Sequence, residues 1–271
     1  MKKIDEDALA DAYNRALALE KSGDFDAAAA AYADVLALDP EDHGGAAVRL
    51  ASMGRGETPE KAPDAYVATL FDQHAEVFDD VLVEQLGYCV PLLVRQRFQA
   101  LGLGPFPRVL DLGCGTGLSG GALRDMAEDI TGVDLSENMV EIAHEKDLYE
   151  TLYVAEAVDF LDDNDEVPFD LVIATDVLPY LGALEALFFG AADNLVAGGL
   201  FAFSSETLPE DAFAGQPFRV GPHQRFAHAP AYLRQRLDET GFDLVEIGDI
   251  TVRMEEGEPI PGHLVIAKYR G

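Results

Sequence analysis

The spacing of hydrophobic residues divides the chain into two segments. In residues 5–40, small and apolar residues recur at every third or fourth position, which is the period of an α-helix. Gly23 interrupts this period and Pro40 ends it. We therefore predict two antiparallel helices here, over 6–21 and 24–38.

The second segment follows a stretch rich in glycine, proline and charge, residues 54–64. A helical pattern runs from there to about residue 100, with a break near Gly87, and short apolar runs then alternate with helical periods. This alternation predicts a mostly parallel sheet covered by helices on both faces. The last two apolar runs have a short connection without a helical pattern, so they should pair antiparallel as a hairpin. The predicted strands are 108–113, 129–134, 151–155, 169–175, 199–204, 242–250 and 262–269, and the predicted helices between them are 117–127, 136–146, 157–162, 183–196 and 229–240.

Composition and charge narrow the class of protein. Apolar residues make up 48% of the 271, which is enough for a packed core. No apolar run nears the roughly 20 residues of a membrane span, and the first residues lack the apolar run of a signal peptide. The net charge of −31 repels nucleic acid and anionic membranes, and it reflects either solubility or a basic partner. We expect a cytoplasmic protein that binds neither nucleic acid nor membrane.

Cysteine and histidine positions bear on metal binding. Cys89 and Cys114 are the two cysteines, and they match neither a disulfide framework nor a zinc site. The six histidines are separated along the chain. We therefore expect no structural metal.

The densest chemical signal is DLGCGTG, residues 111–117, at the end of the first predicted strand. Glycines there let a ligand approach the backbone, and ligands of open parallel sheets bind beyond the C-terminal strand ends. Dinucleotide-binding loops read G-x-G-x-x-G, whereas here the glycines alternate and residue 118 is leucine. Asp111 would repel a pyrophosphate and attract an ammonium or sulfonium. The loop predicts a pocket for a cationic nucleoside without phosphate.

Together with Asp134 in ITGVDLS at the second strand end, DLGCGTG resembles the class I S-adenosylmethionine-dependent methyltransferases. The resemblance covers residues 63–271 and implies their α/β, Rossmann-like fold, with a seven-stranded, mostly parallel sheet and an antiparallel C-terminal hairpin. It also implies S-adenosyl-L-methionine as the methyl donor and a small molecule as the acceptor, methylated on oxygen or nitrogen.

The resemblance also implies which residues hold the cofactor. Gly113 and Gly115 would lie against its methionyl part, and Asp111 would orient that loop or meet the amine. Asp134 would accept hydrogen bonds from both ribose hydroxyls, because a carboxylate has two acceptor oxygens. A helix cap or a solvated face is the alternative for each acid. The other implied contacts are Leu135 and Met139 beside the adenine, Glu156 and Ala157 at its amine, Thr175 near the substrate, and Phe71, His74 and Phe78 on a lid helix.

The lid assignment, which covers residues 63–100, has ordinary amphipathic packing as its alternative.

Basic residues in FRVGPHQRFAHAPAYL, residues 218–233, form a local exception to the acidic composition. Its RFAHAPAYL part resembles a substrate-side motif of the family, so we predict that His228 is the base and that Arg225 binds an anionic group of the acceptor. The alternative is that the basic residues of this loop only form ion pairs with acids on the surface. The further catalytic candidates are Asp176 and Tyr180, with Ser204, Glu206, Arg219, His223 and Arg253 nearby.

Residues 1–62 form a tetratricopeptide-like segment, in which 5–40 resemble one repeat and 43–53 resemble the first helix of a second. Too short to stand alone, this segment needs support from the rest of the chain or from a second copy. It is either a packing cap or a docking site for a protein partner or a homodimer. The alternatives to small-molecule methylation are accordingly a protein methyltransferase and a partner-binding scaffold, while an oxidoreductase and a DNA methyltransferase fit the motifs poorly. The residues that carry the repeat pattern are Gly23, Phe25, Ala28, Tyr32 and Pro40.

Overall fold

The computed structural model describes residues 5–165 and 167–271, and its centre is one mixed sheet. The predicted seven strands are present, and a short extra hairpin raises the number in the described residues to nine. The strands are β1 Phe106–Leu112, β2 Ala127–Asp134, β3 Thr151–Val154, β4 Phe169–Ala174, β5 Leu195–Glu206, β6 Phe218–Val220, β7 Phe226–His228, β8 Phe242–Glu255 and β9 Glu258–Tyr269.

Five parallel strands in the order β3-β2-β1-β4-β5 form the main part of the sheet. The antiparallel β9 lies beside β5, and β8 pairs with β9, as the sequence predicts. Pairing of β1 with β2 sets Leu112 beside Val133. The loop that begins at Gly113 therefore starts next to Asp134, at the C-terminal edge of the sheet.

The last hairpin is longer than the sequence analysis predicts. Strands β8 and β9 are joined by Glu256 and Gly257 alone, both at positive φ as tight hairpin turns require. Pro259 and Pro261 were predicted to lie in the connection but belong to β9. They are tolerated because the pairing of β9 with β5 begins only at Gly262, so these prolines have a partner strand on one side.

The hairpin of β6 and β7 was not predicted. Each strand has three residues, too few for a clear alternation of apolar and polar positions. Ala227 of β7 pairs with Glu206 at the end of β5, so the hairpin extends the sheet beside the C-terminal end of β5.

Helices cover both faces of the sheet, and residues of β1 and β4 alternate between two hydrophobic cores. Leu110 and Val172 pack with the helices at 157–163, 185–193 and 230–239, whereas Val109 and Leu171 pack with those at 90–101 and 118–123. The helices are α1 Glu6–Ser22, α2 Phe25–Leu38, α3 Ala46–Ser52, α4 Asp64–His74, α5 Val90–Leu101, α6 Leu118–Leu123, α7 Glu137–Glu145, α8 Ala157–Asp163, α9 Glu185–Asp193 and α10 Pro230–Glu239. Between α4 and α5 lie a 3-10 turn, Ala75–Val77, and a π-helical turn, Asp80–Gln85.

The N-terminal helices pack against the sheet domain. The sequence analysis expects them to pack either on the rest of the chain or on a second copy, and the first of these is observed. Helices α1 and α2 form the predicted pair, with Gly23 in the left-handed conformation between them. Val48 and Ala51 of α3 pack with Tyr180 and Phe226. The repeat assignment and the boundary after residue 62 stay predictions, and residues 1–4 of that segment lie outside the described residues.

A short strap, residues 60–62, ties this N-terminal segment to the loop after β4. Its Ala62 N–H donates to the Tyr180 carbonyl at 2.8 Å, and the Glu60 carbonyl accepts from Gly182 and Ala183 at 2.8 Å each. The strap therefore fixes the loop on which Tyr180 lies.

None of the helices in the described parts of the chain combines the length and the apolar character that crossing a membrane needs.

Candidate active site

A cavity of roughly 950 Å³, counting its open mouth, lies at the C-terminal ends of β1, β2 and β4. One end is bordered by the glycine loop and by Asp134. The other end is bordered by aromatic side chains and by Asp176. The cavity therefore joins the predicted cofactor residues to the predicted substrate side. Predicted site residues on its wall are Phe71, Phe78, Gly113, Gly115, Asp134, Leu135, Glu156, Ala157, Thr175, Asp176 and Tyr180.

The glycine loop has the conformation that its sequence predicts. Gly113 and Gly115 have φ of 63° and 53°, in the region that side chains disfavour. A Cβ on Gly113 would lie 2.5 Å from Cγ2 of Val177. Glycine is thus required at Gly113 both for its φ and for the close approach of the loop after β4.

Asp134 ties the glycine loop to the end of β2. Its Oδ2 accepts from the Gly115 N–H at 2.8 Å, and its Oδ1 accepts from the Ser136 N–H at 2.9 Å. Burial raises the pKa of Asp134, and these N–H groups oppose the rise. Each carboxylate oxygen has a second lone pair, so Asp134 can still accept from a ligand in the cavity.

Asp111 lies beneath the loop, outside the cavity wall. Its Oδ2 accepts from the Tyr149 hydroxyl at 2.7 Å, and that hydroxyl accepts from the Gly120 N–H at 3.2 Å. Its Oδ1 has no hydrogen-bond partner among the described residues. Burial raises the pKa of Asp111 to about 7. Of its two implied roles, this geometry supports the orientation of the loop.

The predicted adenine end is bordered by Leu135, Glu156 and Ala157, while Met139 is buried in α7 away from the wall. Glu156 caps α8, because its Oε2 accepts from the N–H groups of Val158 and Asp159 at 2.7 and 2.9 Å. The cap alternative is therefore present. The other oxygen, Oε1, lies 3.9 Å from the Lys61 Nζ.

Residues 64–85, which are part of the predicted lid at 63–100, border one side of the cavity. Phe71 and Phe78 lie on its inner side, whereas His74 is exposed and its Nδ1 lies 2.7 Å from the Leu70 carbonyl oxygen. Asp72 holds the lid to α7, because its Oδ1 accepts from the Ser136 hydroxyl at 2.5 Å. The lid thus brings two of its three predicted residues to the site.

At the other end, Asp176 and Tyr180 border the cavity together with Tyr88. Asp176 has a φ of 60°, which is uncommon for a residue with a side chain. Its N–H donates to the Ser204 hydroxyl at 2.9 Å. The end of β5 therefore helps to hold Asp176 in this uncommon conformation just after β4.

Behind Asp176 lies an acid–arginine cluster, formed by Asp176, Glu206, Arg225, Arg253 and Glu255. Arg253 is fully buried and donates to Glu206 at 2.6 Å, to Glu255 at 3.2 Å and to Asp176 at 3.4 Å. Arg225 donates to Glu255 at 2.9 Å. Neither arginine lies on the cavity wall. This geometry does not support Arg225 as an anion clamp, because Arg225 is paired with Glu255 and lies off the cavity wall.

His228 also lies away from the cavity wall, although it was assigned as the base. It is fully buried, and its Nε2–H donates to the Leu181 carbonyl at 2.8 Å. Burial lowers the pKa of His228 to about 4. The side chain holds β7 against the loop after β4 and is not placed to reach an acceptor.

We expect His228→Gln to change acid stability rather than chemistry. The folded-state pKa of about 4 is below the ordinary 6.5, so the unfolded chain binds the extra proton first and stability falls as the pH drops through this window. Wild type should lose about 2 kcal/mol more than the variant between about pH 7 and about pH 5. Urea unfolding at both pH values measures this difference. Equal losses would show that His228 is not buried as a neutral side chain.

Comparison with known proteins adds independent support for this site. Residues 110–201, which include the glycine loop and Asp134, match the model of a family described as a methyltransferase domain. This part of the chain is a methyltransferase domain. The loop and the carboxylate found at the cavity are thus part of the matched region of this methyltransferase.

Curated relatives of the methyltransferase are named ubiquinone biosynthesis O-methyltransferase. The protein from Idiomarina loihiensis is 26% identical over 175 residues, which cover 59% of this chain and 70% of that protein. The protein from Maricaulis maris is 28% identical over 163 residues, or 55% of this chain and 64% of that protein. Both are similar along part of their length.

Solved structures share the fold of the methyltransferase at low identity. One is an S-adenosylmethionine-dependent methyltransferase from Clostridium acetobutylicum, with a TM-score of 0.54, 16% identity, and coverage of 74% of this chain and 100% of that one. The N-methyltransferase NodS from Bradyrhizobium japonicum, in complex with S-adenosylhomocysteine, has a TM-score of 0.51, 18% identity and coverage of 66% and 86%. The cyclase SpnF has a TM-score of 0.61, 16% identity and coverage of 78% and 98%. Since a cyclase shares the fold, the fold alone does not determine the reaction.

Proposed function

We propose that this methyltransferase transfers a methyl group from S-adenosylmethionine to an oxygen of a small, hydroxyl-bearing molecule. The observation that carries the proposal is the charge of the cavity wall. Four carboxylates lie on it, and none of its side chains in the described parts of the chain is lysine, arginine or histidine. A sulfonium and an ammonium are attracted by such a wall, whereas a diphosphate is repelled. The four carboxylates are Asp64, Asp134, Glu156 and Asp176.

The chain has a fitting group for each part of the cofactor. Asp134 has lone pairs left for the ribose hydroxyls, and Glu156 Oε1 is free of the helix cap for the adenine amine. The loop at Gly113 and Gly115 would border the methionyl part. When bound, S-adenosylmethionine would supply an activated methyl group: the acceptor oxygen would form a bond to the methyl carbon, and the electron pair of the broken carbon–sulfur bond would stay on sulfur.

The acceptor end favours a small molecule with an apolar body. Phe71, Tyr88 and Tyr180 border it, with ring centroids of Phe71 and Tyr180 5.3 Å apart. The lid and the strap close over this end, which leaves little access for a folded protein. The names of the curated relatives support oxygen as the methylated atom.

The N-terminal helices have a part in this proposal as a cap on the acceptor end. Val48 and Ala51 of α3 pack against Tyr180, and the strap bonds to the Tyr180 carbonyl. We keep as proposals the tetratricopeptide assignment, a protein partner or second copy bound through residues 1–62, and a cytoplasmic location.

Calorimetric titration of the purified chain tests the proposed cofactor. We expect S-adenosylmethionine and S-adenosylhomocysteine to bind with measurable heat, and NAD to give none at the same concentration. Binding of NAD in preference to the sulfonium nucleoside would contradict the proposal, because it would mean that the carboxylate-lined wall accepts a diphosphate.

A further inference from the structure

Asp176 is the carboxylate that borders the acceptor end of the cavity, and both its backbone and its side chain have partners. Its backbone φ of 60°, the Ser204 hydroxyl on its N–H and the Arg253 guanidinium on its Oδ1 fix the residue from three sides. Its side chain is 17% exposed, and it borders the cavity. Asp176 is thus accessible to an acceptor although its surroundings are buried.

The arginines next to Asp176 are balanced within the chain. Arg225 and Arg253 carry two positive charges, and they face Glu206, Glu255 and Asp176. Three carboxylates against two guanidinium groups leave no positive charge over for a ligand. An anionic acceptor would therefore meet repulsion from the wall and find no free cation in the cluster.

The other side chains near the acceptor end that could take a proton are two tyrosines, which are already protonated, and His228, which is hydrogen-bonded elsewhere. Burial raises the pKa of Tyr180 and of Tyr88, so both hydroxyls keep their protons near neutral pH. His228 is turned away to the Leu181 carbonyl. Of the described residues that border the acceptor end, Asp176 has the carboxylate.

We propose that the acceptor enters uncharged, that Asp176 takes its hydroxyl proton, and that Arg253 is a positioning residue for Asp176. This inference rests on the proposed function and names its substrate class, a neutral aromatic hydroxyl compound. The acceptor oxygen gains the methyl group, and the proton that it gives up goes to a carboxylate oxygen of Asp176. Arg253 keeps that carboxylate turned toward the cavity and touches neither acceptor nor cofactor.

Binding of two matched probes tests the charge of the acceptor. Para-cresol and para-hydroxybenzoate are both phenols and differ by a methyl group in place of a carboxylate. In calorimetry on the chain saturated with S-adenosylhomocysteine, we expect para-cresol to bind at least about tenfold more tightly, since one close like charge is worth about that much. Tighter binding of para-hydroxybenzoate, or binding of neither probe, would overturn the inference. The preceding titration with S-adenosylhomocysteine tests the proposed function separately.

Asp176→Asn tests the proton acceptor. Asparagine adopts positive φ readily and keeps the shape of the side chain, so the fold should be retained. We expect methyl transfer to para-cresol to fall by about 100-fold or more, as general-base losses do, with unchanged affinity for S-adenosylhomocysteine. Asp162→Asn, at an exposed position of α8, is the matched control and should leave both unchanged. Full activity of Asp176→Asn, or no transfer to para-cresol by wild type, would contradict the inference.

Arg253→Lys separates positioning from mere support of the fold. An ammonium cannot contact three carboxylates in the fixed geometry of a guanidinium. We expect kcat to fall while KM for para-cresol and the affinity for S-adenosylhomocysteine stay constant. If the melting temperature alone falls and kcat per folded molecule is retained, Arg253 is structural and its assigned role is wrong.

Discussion

Asp134→Ala should weaken the binding of S-adenosylhomocysteine by about 100-fold or more, measured by calorimetry. The variant loses the acceptor that we assign to both ribose hydroxyls. It also loses the two anchors, to the Gly115 and Ser136 N–H groups, that hold the glycine loop against β2. Hydrogen bonds to a charged acceptor are worth about 1.5–3 kcal/mol each, so two of them account for an effect of this size.

Two further variants make the Asp134 result specific. Glu128→Ala removes an exposed acid from the other end of the same strand and should leave affinity unchanged. Asp134→Asn keeps the size of the side chain but sets an NH2 group against one of two N–H donors, so it should also bind weakly. Affinity near that of wild type in Asp134→Ala would remove Asp134 from the cofactor site.

The cofactor end could be predicted because its signals are local. Asp111 through Gly117 form one continuous motif, and the parallel pairing of β1 with β2 brings Asp134 to it without any long-range information. Glu156 shows the limit of this reasoning. Both of its predicted roles are compatible with the structure, because one carboxylate oxygen caps α8 and the other stays available.

The acceptor end depends on contacts between distant segments, and the sequence does not show them. Arg225 looks like a free cation in its own segment, but its partner Glu255 lies in β8. His228 lies in a strand whose three residues are all buried, so no alternation indicates which way the side chain points. The strap has the composition of a linker, and its pairing with the loop after β4 is visible only in three dimensions.

Acid–base balance connects these observations. The chain has 50 acidic and 19 Lys and Arg residues, and its buried Arg253 is paired with carboxylates of the chain. On the cavity wall, Asp64 and Glu156 lie near Lys61 and Asp176 contacts Arg253, whereas the partners of Asp134 are backbone N–H groups. A cationic cofactor would add a counter-charge to this wall. The acidic composition therefore bears on the ligand as well as on solubility or a basic partner.

The variant Asp111→Asn should make the unfolding free energy less dependent on pH. Burial raises the pKa of Asp111 to about 7, above its ordinary 3.8. Between these values the folded chain keeps a proton that the unfolded chain releases, so stability is lost as the pH rises through this window. Between about pH 5 and about pH 8, wild type should lose about 3 kcal/mol relative to the variant in urea unfolding.

The comparison must be made as a difference between wild type and variant, because His228 titrates with the opposite sign. Its lowered pKa makes wild type more stable as the pH rises through about 4 to 6.5, which hides part of the Asp111 effect in the total. Asp111→Asn in the His228→Gln background removes this overlap, and Asp162→Asn in the same background serves as the control with a constant difference. Parallel curves for all three chains would mean that Asp111 is ionised in the folded protein, so that the Tyr149 hydroxyl and the loop above it stabilise a buried charge.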